Sequence, residues 1–231
     1  MPRRGKSCTV HTMFSSECRN EPVSSLSHLV ATLLSIAALT LLVTLAVLRG
    51  STLHVVSATI FGSALLLLYL ASTLYHFLNK EHPAKELFRI LDHSMIYILI
   101  AGTYTPVVLL ILPPAWGWSL FGVIWGLALI GVLKKVFRVP VPAWFSAVFY
   151  LLMGWIVLVA YQPLSQSLSL AGFLWLLGGG LFYTVGVVFF ALDHRYKTGR
   201  WYTLHDVFHI FVMLGSFCHF WFVLKFVIPG E

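Results

Sequence analysis

Charge is what this sequence lacks. Asp, Glu, Lys and Arg make up 10% of its 231 residues, against roughly 25% in an ordinary soluble domain. That is too little to cover the surface of a soluble globule. With 59% hydrophobic residues and a mean hydropathy of +0.88, the chain does not read as disordered either. Cysteine is scarce. Cys8, Cys18 and Cys218 include no C-x-x-C pair, so a disulfide framework is unsupported. Cys8, His11 and Cys18 fit no common finger spacing and read as part of a reduced tail. The first 20 residues are polar and basic with no apolar core, which excludes a cleaved signal peptide. The first hydrophobic stretch then serves as an uncleaved signal anchor. No internal repeat is visible, so a transporter built from two matching halves has no support. The remaining class is an integral membrane protein, whose apolar surface is covered by lipid.

Long apolar runs are abundant. A helix needs about 20 apolar residues to cross the hydrocarbon core, and seven segments approach or exceed that: 26–48, 54–78, 87–112, 116–133, 144–161, 168–192 and 201–228. Turn chemistry separates them at Arg49-Gly50-Ser51, Asn79 to Lys85, Pro113-Pro114, Pro140/Pro142, Gln162-Pro163 and Asp193 to Arg200. The expected fold is an all-α integral membrane protein, a seven-transmembrane helix bundle. Residues 1–23 form a basic, disordered cytoplasmic tail and 24–231 the membrane domain. Apart from Arg49 and Lys225, every Lys and Arg falls on one set of alternate segments. The excess of basic residues faces the cytoplasm, so the N-terminus is placed inside and the C-terminus outside. G-protein-coupled receptors and microbial rhodopsins have the opposite orientation. A retinal protein also needs a lysine near the middle of its last helix, whereas Lys225 lies near the outer end of the seventh span. The same rule explains the net charge of +7: basic loops meet anionic lipid head groups, and no nucleic-acid partner is called for. The expected location is the plasma membrane, or the inner membrane of a Gram-negative cell. Nothing in the sequence sets an oligomeric state.

The polar residues inside the spans are not scattered. Glu21, Ser24, Ser27 and His28 open span 1. Ser72 and His76 lie near the end of span 2, Asp92 and His93 near the start of span 3, and His205, Asp206 and His209 near the start of span 7. All fall at the inner ends of their helices, and ionisable groups in spans mark functional sites. His205 and His209 are i and i+4, with Cβ atoms about 6 Å apart on one face, a separation at which two imidazoles can share a metal. His76 supplies a third neutral nitrogen, and an open tetrahedral zinc site needs three protein ligands. Asp92 would hold the attacking water or act as its base, and Ser72 would hydrogen-bond beside it. An interhelical hydrogen-bond cluster and a proton relay remain open as alternatives. His219 follows His205 by 14 residues on nearly the same face but about 21 Å nearer the outer side, so interior hydrogen bonding is expected of it instead. Asp206 is expected to orient a neighbour or cap the seventh span. His54, His82 and His194 read as solvated. Gly178-Gly179-Gly180 would permit close packing, and Pro106, beside Thr103 and Thr105, would kink span 3.

These residues resemble a known family. Glu21-x-x-Ser24-x-x-Ser27-His28 looks like the opening motif of the hemolysin III family, and Ser72-x-x-x-His76 is similar to its second. Leu91-Asp92-His93-Ser94, followed by Ala101-Gly102-Thr103-Tyr104-Thr105-Pro106, looks like its third. His205-x-x-x-His209 with Gly215-Ser216 and His219 looks like its last. One departure is Ser24, where the family usually carries Asn. The family belongs with the progestin and adipoQ receptors. The resemblance implies seven helices with a cytoplasmic N-terminus, zinc held by His76, His205 and His209, and Asp92 and Ser72 placed around the reacting water. It also implies a part in membrane-lipid homeostasis, to which bacterial members are linked, and a kinship with the adiponectin receptors, which are associated with ceramide hydrolysis.

The expectation is therefore a zinc-dependent hydrolase of lipid amides or esters, with a membrane lipid as substrate or ligand. Two alternatives stand beside it. One is a non-catalytic, zinc-stabilised sensor or receptor. The other is a haemolytic pore, for which the nearly uncharged outer halves of the spans offer no continuous polar lining.

Overall fold

Residues 21–193 and 203–228 are described by a computed structural model of the chain. They are helical, and no strand occurs among them. Helix α1 spans Pro22–Arg49, α2 Thr52–Phe77, α3 Lys85–Leu110 and α4 Pro114–Val136. A fifth span, Trp144–Ser167, is composite: α5 covers Ala143–Trp155, a 3-10 segment Ile156–Ala160, and α6 Tyr161–Ser167. Helix α7 spans Leu170–Asp193 and α8 Leu204–Phe222, which runs on into a π-helical turn, Val223–Val227. Among the described residues, seven segments are long and apolar enough to cross a membrane, as the sequence leads one to expect. The tail with Cys8, His11 and Cys18, together with residues 194–202, lies outside the described residues.

Helix boundaries follow backbone chemistry. Pro22 and Pro114 open α1 and α4, where a missing N–H costs nothing. Helix α1 thus takes in the last two residues of the expected tail. Thr203 and Asp206 form a capping box that starts α8, three residues after the expected start of the span at 201. Helix α4 ends with the Arg138 N–H on the Lys135 carbonyl and the Val139 N–H on that of Lys134, a Schellman turn that places Arg138 at φ 52°. Pro106 lies inside α3, and the hydroxyls of Thr103 and Thr105 back-bond to the carbonyls of Leu99 and Ala101.

One expected turn is corrected. Gln162-Pro163 does not end the fifth span; both residues lie in α6, and the chain turns after Ser167. Pro163 falls in the first turn of α6, where its missing N–H breaks no helical bond. The 3-10 break just before it is patched from another helix. The Tyr104 hydroxyl of α3 accepts the Val157 N–H at 2.9 Å and lies 2.9 and 2.7 Å from the carbonyls of Met153 and Gly154. In lipid such freed backbone groups must be satisfied by protein.

Helices α1 to α4 pack in sequence order, α7 pairs with α8, and α8 returns to α1, while α5 bridges α3 and α7. Tyr97, Phe61, Phe222, Leu42 and Ile124 are buried between them. Leu33, Leu34, Leu129, Leu152 and Leu181 are exposed on the outside, where lipid rather than water suits them. The chain is a multi-pass membrane protein. The bundle encloses a cavity of about 570 Å³ that runs from Glu21 and Asp193 at one end to Val107, Phe173 and His219 deeper in. Helix α4 contributes only Lys135 to its wall.

Candidate metal centre

The end of α2 and the start of α8 meet at the same end of the bundle, and each brings its histidines there. In α8, one turn separates His205 from His209, and their Nε2 atoms lie 3.0 Å apart. The His76 ring, in the last turn of α2, has its centroid 5.2 Å from that of His205 and 4.8 Å from that of His209. One ligand atom from each of the three lies within 4.8 Å of the others. His76 and His209 are buried and His205 is partly so.

The donor set suits a metal. A tetrahedral zinc with Zn–N of about 2.0–2.1 Å spaces its ligand nitrogens about 3.3 Å apart, close to the separation within the α8 pair. His76 Nδ1 meets Glu21 Oε2 at 2.5 Å, which leaves its Nε2 buried and without a hydrogen-bond partner. A carboxylate on the far nitrogen of a ligating histidine fixes its tautomer and raises its basicity. The hydrogen bond from His76 also holds the half-exposed Glu21 carboxyl well below the usual carboxylate range, to about 2. His209 Nδ1 is likewise buried and unpartnered. Two buried imidazoles and a partly buried one, with the His76 Nε2 orphaned, could hold a metal ion.

Ser24 and His28 of the opening motif point at the same place. Ser24 Oγ donates to Asp206 Oδ1 at 2.5 Å, and Asp206 Oδ2 accepts from the Thr203 N–H at 2.7 Å. The side chain that caps α8 thus also anchors α1. Serine at position 24 is long enough for this bond. His28 stacks on His209 at 3.8 Å and meets the edge of Tyr69 at 5.0 Å. Ser27 does not join; its hydroxyl returns to the Ser24 carbonyl.

Ser72 is buried, and Ser72 and Asp92 both line the cavity shared by the three histidines. The nearest ionic neighbour of Asp92 is His93, at 3.9 Å. His219 sits deeper. Its Nε2 donates to the Leu176 carbonyl at 3.2 Å, the interior hydrogen bond expected of it. Gly179 makes room for that ring, while Gly178 and Gly180 have no close neighbour to accommodate. His54 accepts from the Ser51 N–H and so caps α2.

Sequence reasoning missed several contacts. Asp193, at the end of α7, accepts the His205 N–H at 3.2 Å, and its position next to the α8 start is a usable signal. The hydroxyl cluster of Tyr69, Tyr183 and Ser216, with contacts of 2.6 and 2.8 Å, has no local signature in the sequence.

The chain is similar to known proteins along most of its length. The family model described as "Haemolysin-III related" matches residues 16–220. Hemolysin-3 of Bacillus cereus is 41% identical over 212 residues, covering 91% of this chain and 93% of that protein. The Hemolysin-3 homolog of Bacillus subtilis (strain 168) is 41% identical over 210 residues, covering 91% and 95%. The human monocyte to macrophage differentiation factor is 28% identical over 178 residues, covering 74% and 71%.

Proposed function

The chain belongs to the haemolysin III family, within the progestin and adipoQ receptor superfamily, and from that premise we propose that it is a zinc-dependent hydrolase of lipid amides or esters. The observation that carries the reading is the placement of His76, His205 and His209, their ligand atoms within 4.8 Å, on the wall of a largely apolar 570 Å³ cavity inside a membrane bundle. Such a cavity suits an acyl chain. Orientation by the excess of basic residues puts the cluster near the cytoplasm, from which water reaches it.

His76, His205 and His209 would hold the ion, with Glu21 fixing the His76 ring. Zinc, when bound there, supplies Lewis acidity: it polarises a carbonyl and lowers the pKa of water. Asp92, on the same cavity wall, would take the proton from the attacking water and pass it to the leaving group. Ser72, one turn before His76, would orient that water or the developing oxyanion. The apolar wall formed by Leu99, Ile100, Leu176 and Val212 excludes bulk water and seats the chain. The name Hemolysin-3 borne by the bacterial relatives suggests lysis of red cells, but among the described cavity residues the deep half is apolar apart from His219, Thr103, the Trp155–Thr184 pair and tyrosine hydroxyls, which does not favour ion conduction.

The test is metal content followed by turnover. Wild type purified in mild detergent should carry about one zinc per chain, and His205→Ala/His209→Ala should carry none. Asp92→Asn should keep the zinc and lose lipid hydrolysis. Well-folded wild type that takes up no zinc when it is supplied sinks the proposal. Zinc-loaded protein that cleaves no lipid amide or ester, with Asp92→Asn showing no phenotype, leaves a metal that only ties α2 to α8.

A further inference from the structure

A second polar cluster lies at the same end of the bundle, away from the histidines. Helix α4 ends in Lys134 and Lys135, and Ser146 stands in the first turns of α5. Lys134 Nζ lies 3.5 Å and Lys135 Nζ 3.4 Å from Ser146 Oγ, and Ser146 is buried. Lys134 is also held over the rings of Phe145 and Phe149, at 4.7 and 5.6 Å. Two cations therefore converge on one neutral hydroxyl.

Neighbouring cations are arranged differently. Arg89 makes two bonds to Glu86 at 2.7 Å, Arg138 approaches the same carboxylate at 4.0 Å, and Lys85 donates to the Tyr75 and Leu78 carbonyls. Neither Lys134 nor Lys135 forms an ion pair with a carboxylate among the described residues. The rings attract Lys134 and the Asp92 carboxylate attracts Lys135 from beyond ion-pair distance, but the two like charges repel each other, and an anion seated between them compensates both. Lys135 and Ser146 also line the cavity that holds the histidine cluster, as do Asp92 and His93. An anion bound there would belong to a molecule that reaches into the cavity.

We propose that Lys134, Lys135 and Ser146 form the seat of a tetrahedral phosphate oxyanion, the head-group phosphate of a phospholipid whose acyl part enters the cavity. A phosphodiester adds two ester oxygens to its two anionic ones, so that two ammoniums and a hydroxyl converging from different helices find acceptors around a tetrahedral group, and lysine binds phosphate as a point charge. The proposal deepens the function above and rests on its reading of the cavity as the lipid's seat: the substrate is a phosphate-bearing lipid rather than a neutral one.

The test is binding, not turnover. Full-length wild type in detergent is offered phosphatidylglycerol, diacylglycerol or inorganic phosphate, and retained ligand is measured by native mass spectrometry. Wild type should retain phosphatidylglycerol. Lys134→Gln/Lys135→Gln should retain it at least about tenfold less, through loss of two charge-assisted bonds, with diacylglycerol unaffected. Ser146→Ala, which removes no charge, should give a smaller loss in the same direction and serves if the double variant does not fold. Retention should persist in His205→Ala/His209→Ala, so failure of the hydrolase reading leaves this measurement standing. Phosphatidylglycerol retained equally by the folded double variant overturns the proposal. So does an equal loss in Lys80→Gln/Arg138→Gln, which would mark diffuse attraction to a basic face. Binding of inorganic phosphate without lipid retention would assign the donors to free phosphate and overturn the lipid seat.

Discussion

Gly178, Gly179 and Gly180 are adjacent in α7, yet a methyl group added to each would meet three different surroundings. At Gly178 it would find nothing within 4 Å, and at Gly180 only Trp155 at 3.9 Å. At Gly179 it would lie 2.3 Å from Nε2 and 2.4 Å from Cδ2 of His219. That imidazole cannot easily retreat. It is buried, bonded to the Leu176 carbonyl and packed 5.4 Å from the Tyr183 ring. Gly→Ala in a helix interior gains about 1 kcal/mol in propensity, so Gly178→Ala should be neutral or slightly stabilising. Gly179→Ala has the same gain against about 1–3 kcal/mol of overpacking and about 1–3 kcal/mol for a displaced buried hydrogen bond. The net expectation is a loss of about 1–5 kcal/mol, and each kcal/mol corresponds to about 2–4 °C in Tm for a chain of this size. Thermal unfolding in one detergent, with the two variants side by side, reads this directly. The cause is isolated by repeating Gly179→Ala in a His219→Ala background, where the coupling should restore about 0.5–3 kcal/mol. Equal Tm values for the two glycine variants, or a penalty undiminished without the imidazole, would refute the reasoning.

Three further outcomes follow from single contacts. Glu21→Gln should weaken zinc binding about 10–100-fold in competition against a chelator, with the fold intact; unchanged affinity would detach Glu21 from the site. Tyr104→Phe should cost about 1–3 kcal/mol by stranding the Val157 N–H and should speed amide exchange around residues 153–160, whereas unaltered exchange would mean the 3-10 break does not need the hydroxyl. Arg138→Gly should raise stability by about 1 kcal/mol by removing a side chain from a left-handed position, since the exposed Glu86 contact at 4.0 Å contributes little; a fall in Tm would show that this contact dominates.

The spans were legible because lipid imposes a long, uncharged run on each one, and the histidine cluster because i, i+4 spacing is a local signal. What escaped depends on partners distant in the chain. Pro163 reads as a turn because it stands in a polar stretch with Gln162, Ser165 and Gln166; the helix resumes there because Tyr104, on another helix, satisfies the break before it. Glu21 carries a motif position in the sequence, but only the fold shows that its carboxylate meets His76, 55 residues away. Lys134 and Lys135 read as topology signals, and their convergence on Ser146 needed the turn between α4 and α5.

The polar face of α1 decides how the centre can be dissected. Glu21 bonds to His76, Ser24 to Asp206 at the start of α8, and His28 stacks on His209. Apolar helix contacts in a bilayer have little hydrophobic drive behind them, so the angle between α2 and α8 rests on directional contacts such as these. Removing one of the three histidines therefore perturbs both a candidate donor and a joint in the bundle, and lost activity in such a variant does not distinguish chemistry from packing. Asp92 lies on the cavity wall and takes no part in the contacts that tie α1 to α2 and α8. Asp92→Asn is thus the substitution for which zinc content, thermal stability and turnover separate. If zinc and Tm hold while hydrolysis disappears, the carboxylate acts in the chemistry. If all three fall together, Asp92 is another joint, and the reading of the centre as catalytic loses its base.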